Sequence, residues 1–123
     1  MGLSACAVGG TRTGELDAVK SDSGALSVVV ETLPRVSLDR GTNALEFVVT
    51  DSAGAGVDGL SLDVVPWMPV MGHGASVVPT VQAEGSGKYL VENVELFMPG
   101  LWQLRTTFSN GTTDHAVPSF EVQ

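Results

Sequence analysis

From residue 25 onward, apolar and polar residues alternate in short runs, and no stretch carries the 3.6-residue stripe of an amphipathic helix. The clearest case is 60–65, where Leu60, Leu62 and Val64 alternate with Ser61 and Asp63, the inside-outside pattern of a half-buried strand. Residues 43–50 place Leu45, Phe47 and Val49 on one face, and 101–109 do the same with Trp102, Leu104, Thr106 and Phe108. Further runs at 26–32, 77–84, 88–95 and 112–122 bring the predicted strands to seven. Turn chemistry separates them. Pro34 closes the first run, 51–56 follows the second, Gly85-Ser86-Gly87 makes a hairpin turn, and Asn110-Gly111 is another because both residues tolerate positive φ.

Seven short strands in about 100 residues fit an all-β domain, an immunoglobulin-like Greek-key β-sandwich. A small β-barrel is the alternative, since strand number and alternation do not distinguish closure from two packed sheets. With 123 residues, 43% of them apolar, the chain is long enough for one domain. Its single Cys excludes an intramolecular disulfide framework, so packing or a bound ligand must stabilise the fold.

Residues 1–24 lack large apolar runs and any clear period, and are expected to be a flexible leader before a domain at 25–123. Within them Leu3-Ser4-Ala5-Cys6 looks like the lipobox of bacterial lipoproteins, in which the cysteine thiol receives a lipid. Cys6 is therefore an expected lipid attachment point that would hold the domain near a membrane surface. No stretch approaches the roughly 18–20 continuous apolar residues of a spanning helix. Fourteen acidic against six scattered basic residues give a net charge of -8. That balance argues against a nucleic-acid surface, whose phosphates require clustered Lys and Arg.

The segment Pro66-Trp67-Met68-Pro69-Val70-Met71-Gly72-His73-Gly74, continuing to Pro79, departs from this grammar. It is too apolar for an ordinary loop and too interrupted by Pro and Gly for a strand or helix. It holds Met68, Met71 and His73; the other thioether or imidazole donors beyond Met1 are Met98 and His115. Thioether sulfur is a soft ligand and imidazole a borderline one, so the set suits Cu(I). Zinc favours Cys, His and carboxylate, and Ca(II) or Mg(II) favours carboxylate oxygens, which this segment lacks. The Pro residues restrict the backbone between ligands and reduce the entropy lost on binding. Trp67 is a candidate cap over the cation. The sulfurs of Met68, Met71 and Met98 and an imidazole nitrogen of His73 are expected to converge. His115 joins the candidates on its chemistry and on the expectation that the last strand ends near the loop.

Three motifs carry a resemblance: Trp67-Met68-Pro69-Val70-Met71-Gly72-His73-Gly74, Gly85-Ser86-Gly87-Lys88-Tyr89, and Phe97-Met98-Pro99-Gly100-Leu101-Trp102. In this order they resemble the YtkA-like and FixH-like family of cell-envelope domains over roughly residues 60–108. The resemblance implies an extracytoplasmic copper-binding or copper-delivery role on a β-sandwich. By the same resemblance Met68, Met71 and His73 match the loop motif and Met98 the methionine of the turn.

Two functional classes follow. One is a copper carrier, chaperone or sensor of the cell envelope, lipid-anchored through Cys6, exchanging Cu(I) with an envelope protein that donates or accepts it. The other is a metal-free immunoglobulin-like interaction module whose Met-rich loop forms an apolar protein-binding patch. An enzyme is not expected: the sequence has no activated-Ser elbow, phosphate-cradling Gly loop or His-Glu-x-x-His helix, and Cys6 sits in the leader away from either His.

Overall fold

The computed structural model describes residues 15–33, 40–74 and 77–122. They form ten strands: β1 (Glu15–Lys20), β2 (Ser27–Thr32), β3 (Gly41–Thr50), β4 (Ser61–Met68), β5 (His73–Gly74), β6 (Thr80–Gly85), β7 (Lys88–Leu96), β8 (Gly100–Ser109), β9 (Thr113–Ala116) and β10 (Ser119–Val122). One sheet runs β1-β2-β3-β7-β6 and the other β10-β8-β4-β5, with β9 also paired to β8. All pairings are antiparallel. The core order β2-β3-β7-β6 over β4-β8-β9/β10 is the four-on-three arrangement of an immunoglobulin-like sandwich. No ladder joins the two sheets among the described residues, so the barrel alternative is excluded in favour of two packed layers.

Alternation does the work the sequence implies. Leu45, Phe47 and Val49 of β3, Tyr89, Val91, Val94 and Leu96 of β7, and Trp102, Leu104 and Phe108 of β8 all point between the sheets and are at most 1% exposed. Truncating any of the larger aliphatic ones to Ala costs about 2–5 kcal/mol by lost transfer energy and residual cavity.

Three expectations change. Residues 15–20, placed in the leader, form edge strand β1 against β2, with a register shift between Glu15 and Asp17. Only Leu16 and Val19 of this strand pack against the core, so it carries little apolar signal. The first fourteen residues, Cys6 among them, lie outside the described residues. Second, β4 runs on through Pro66 to Met68, past the expected end at Val65. A Cβ at Gly74 would lie 2.6 Å from the Pro66 carbonyl oxygen, which therefore faces β5. The N and C=O of one residue in a strand point to the same side, so the missing N–H falls on the sparsely paired side of β4, where proline is tolerated. Third, the last run divides into β9 and β10 around Val117-Pro118.

One end of the sandwich is closed by polar locks. The Tyr89 hydroxyl donates to the Val57 carbonyl at 2.6 Å and accepts the Leu60 N–H at 3.2 Å. Gly87 N–H donates to the Asp58 carboxylate at 2.7 Å, and Val49 N–H to the Gly87 carbonyl at 2.8 Å. Gly87 has φ 79° and is packed so closely that a Cβ there would run into the Val49 carbonyl. The Gly85-Ser86-Gly87-Lys88-Tyr89 motif thus fastens the β6–β7 turn to the 51–60 connection.

Candidate metal centre at the opposite end of the sandwich

The other end carries Met68, His73 and Met98. The inner face of β4 is Leu62, Val64, Pro66 and Met68, and Met68, at 3% exposure, belongs to the core. A turn closed by Gly72 N–H donating to the Met68 carbonyl at 2.9 Å brings the chain back as β5, where His73 is the cross-strand partner of Met68. Directly opposed residues share a face with Cβ atoms about 4.5–5.5 Å apart, so Met68 and His73 are cross-strand neighbours by register.

Met98 comes from the β7–β8 connection. The Met98 side chain is partly buried against the core. Its carbonyl accepts the indole N–H of the fully buried Trp102 at 2.9 Å, which holds the 97–100 turn against β8. Gly100, with φ 128°, leaves room for Met68: a Cβ there would lie 3.1 Å from the Met68 methyl carbon. Phe97 stacks on His73 with ring centroids 5.7 Å apart at 15° and meets Trp102 edge-on at 5.4 Å and 75°. Phe97 and Gly100 were missed as contributors, although both stand inside the Met-Pro-Gly motif.

The remaining candidates lie elsewhere. Met71 sits in the turn, 51% exposed beside Val70. Trp67 points to the outer face of β4, where the Arg105 guanidinium lies 4.7 Å from its ring centroid; the cation it meets is the protein's own. His115 pairs with Thr107 on β9, while Trp67 pairs with Gln103, four residues further along β8. At ~3.3 Å per residue that is ~13 Å along the strand, and His115 is exposed on the outer face. The strand that ends near the loop is β10, whose Val122 pairs with Gly100.

Among the described residues, no group of three or more His, Cys, Asp or Glu that could hold a metal ion is assembled. The two displaced carboxyl groups lie away from the Met68 end. Hydrogen bonds from Ser23 and then Ser21 hold Asp114 down at about 2. Partial burial, and then the neighbouring Glu84 carboxyl, hold Glu46 above its ordinary value. An open cleft of about 300 Å³ at the locked end is lined by Leu26, Leu60, Phe108 and Asp114 among others, and by none of the candidate donors.

The family model described as YtkA-like matches residues 20–107, well over half of the chain and enclosing all three sequence motifs. Solved structures are similar in fold across nearly their whole length. The copper-reconstituted P19 protein of Campylobacter jejuni has 10% identity and a TM-score of 0.62, over 92% of this chain and 98% of that one. A copper-bound variant of FetP from uropathogenic Escherichia coli strain F11 has 8% identity and a TM-score of 0.56, over 90% and 96%. The same FetP as isolated, after recombinant expression in the periplasm, has 11% identity and a TM-score of 0.55, over 92% and 96%. No curated protein matches the sequence.

Proposed function

The chain belongs to the YtkA-like family, and from that premise we propose that it is an extracytoplasmic copper-binding protein, a carrier, chaperone or sensor for Cu(I). The single observation that carries the reading is the cross-strand pairing of Met68 with His73, beside the turn that bears Met98. Two thioethers and one imidazole at the end of a rigid sandwich form a soft donor set, and Met71 completes it by folding in from its exposed turn. Copper is the metal named for P19 and for a FetP variant, which share the fold, and this supports the choice of ion. His115 and Trp67 are outside the proposed set because of their positions on the outer face.

The site binds rather than transforms. A half-exposed Met71 beside a buried Met68 favours transfer by ligand exchange: an acceptor's thiolate or thioether replaces the outer donor while the inner ones still hold the ion. Cys6 carries the lipid that keeps the domain at the membrane surface, and the partner is an envelope protein that gives or receives copper.

A specific observation favours a second reading, the metal-free interaction module: Val70, Met71, Phe97 and Leu101 are exposed around this end. Competition with a chromophoric Cu(I) chelator separates the two. The wild-type protein is expected to withdraw Cu(I) at micromolar concentration, and a variant with Met68, Met71 and His73 all changed to Ala is expected to lose that ability. Equal competition by both proteins would overturn the site at Met68, Met71 and His73, and none by either would favour the interaction module.

A further inference from the structure

His73 is poorly held by its own strand. Among the described residues, β5 is two residues long and pairs with Trp67 and Met68 of β4. A side chain on so short a strand keeps considerable rotamer freedom unless something packs against it, and gathering a free imidazole onto a metal costs that freedom. The packing comes from a different part of the chain. Phe97 lies nearly parallel to the imidazole, 15° between planes and 5.7 Å between centroids, and rests edge-on against Trp102. Trp102 is wholly buried and is tied through its indole N–H to the Met98 carbonyl. The result is a continuous row from the imidazole through two aromatic rings to the backbone of the residue that offers the third donor.

We propose that Phe97 is a positioning residue: it holds the His73 imidazole in its metal-binding orientation and couples it to the Met98 turn. The ring has no donor atom and acts on copper only through His73. It is also 45% exposed, which core packing alone does not explain for a Phe. A side chain that merely filled the sandwich would be drawn inside, whereas this one reaches outward to cover the imidazole. The metal-binding part of the proposal rests on the copper reading above, while the orientation of His73 does not.

The test compares Phe97→Leu with the conservative Phe97→Tyr, each also in a His73→Ala background. In metal-free protein, the His73 ring protons are expected to show an upfield ring-current displacement by NMR, lost in Phe97→Leu and kept in Phe97→Tyr. Cu(I) affinity, by chelator competition, is expected to fall roughly tenfold in Phe97→Leu, as for other groups that orient a ligand without touching the metal, and to be restored in Phe97→Tyr. In the His73→Ala background the Phe97→Leu change should have no further effect on affinity. Unchanged His73 resonances in Phe97→Leu would overturn the proposal, as would an affinity loss of the same size without His73. Should the wild-type protein fail to compete for Cu(I), the copper reading falls, and the metal-free NMR comparison alone decides whether Phe97 orients His73.

Discussion

The two ends of this sandwich solve the problem of closing a β-sheet edge with different materials. At the Tyr89 end, the phenol meets the Val57 carbonyl and the Leu60 N–H of the 51–60 connection, and the Asp58 carboxylate of that connection accepts the Gly87 N–H of the β6–β7 turn, all within 2.6–3.2 Å. At the Met68 end, closure is by thioethers and rings: Met68 under Gly100, His73 on Phe97, Phe97 on Trp102. Hydrogen bonds are directional and a buried unpaired group is costly, so the first end has one arrangement. Thioethers have soft rotamers and rings can slide, so the second end keeps more freedom to rearrange, as the proposed copper site requires. The difference divides the three sequence motifs. The Gly-x-Gly-x-Tyr hairpin is architecture, and the two Met-Pro motifs build the soft end.

The largest effect is expected at the locked end. Gly87→Ala forces a Cβ into the Val49 carbonyl at a positive φ, both backbone features with no flexible partner to yield. A loss of roughly 2–4 kcal/mol in urea denaturation is expected, by the usual cost of backbone strain and displaced packing. Folded Gly87→Ala protein should nevertheless compete for Cu(I) as the wild type does, and a changed affinity would show that the two ends are not independent.

Met68→Leu tests the soft end in the opposite sense. The swap conserves volume, so stability should change by less than about 1.5 kcal/mol. Cu(I) affinity should drop by tenfold or more, each decade being about 1.4 kcal/mol of lost binding. A large loss of stability with binding intact would make Met68 core filler and remove the contrast.

The smallest effect is in pH dependence. Asp114 titrates at about 2, below its ordinary 3.8, because Ser23 and Ser21 hydrogen-bond its ionised form. A depressed value means that its contribution is present above pH 3.8 and lost as pH falls towards 2. Glu46 runs the other way. Burial and Glu84 raise it, so its contribution is complete below its ordinary 4.5 and is lost as pH rises through its folded value. Thermal melts should therefore show Asp114→Asn flattening the acid limb between pH 4 and 2, and Glu46→Gln raising the melting temperature at neutral pH. Melts that leave the acid limb unchanged in Asp114→Asn would remove the Ser23 and Ser21 bonds from the account of the locked end.

Much of the fold was legible because burial between two sheets imposes a period of two. The runs at 43–50, 88–95 and 101–109 correspond to β3, β7 and β8, central strands whose inward residues are large and apolar apart from Asn43 and Thr106. β1 was not legible, since an edge strand buries little and two apolar residues do not make a period. Nor was the extension of β4 through Pro66, which depends on which side of the strand lacks a continuous partner. In the candidate site, Met68 and His73 were legible as nearby donors but not as strand partners, because 66–79 reads as too interrupted by Pro and Gly for a strand. The positions of His115 and Trp67 were not legible either, because register decides both the face and the distance along the sheet.

The chemistry of this protein was determined by its sequence: soft donors concentrated in one interrupted segment and a second turn, and a single cysteine outside the described residues. Composition and local spacing suffice for that, since a donor's softness belongs to its atoms. Which donors meet was decided only by the tertiary structure. His73 faces Met68 through a two-residue ladder, and Phe97 reaches the imidazole from a connection between strands of different sheets. Those contacts depend on strand order and register, which come from the packing of the whole core and are written in no local stretch of the chain.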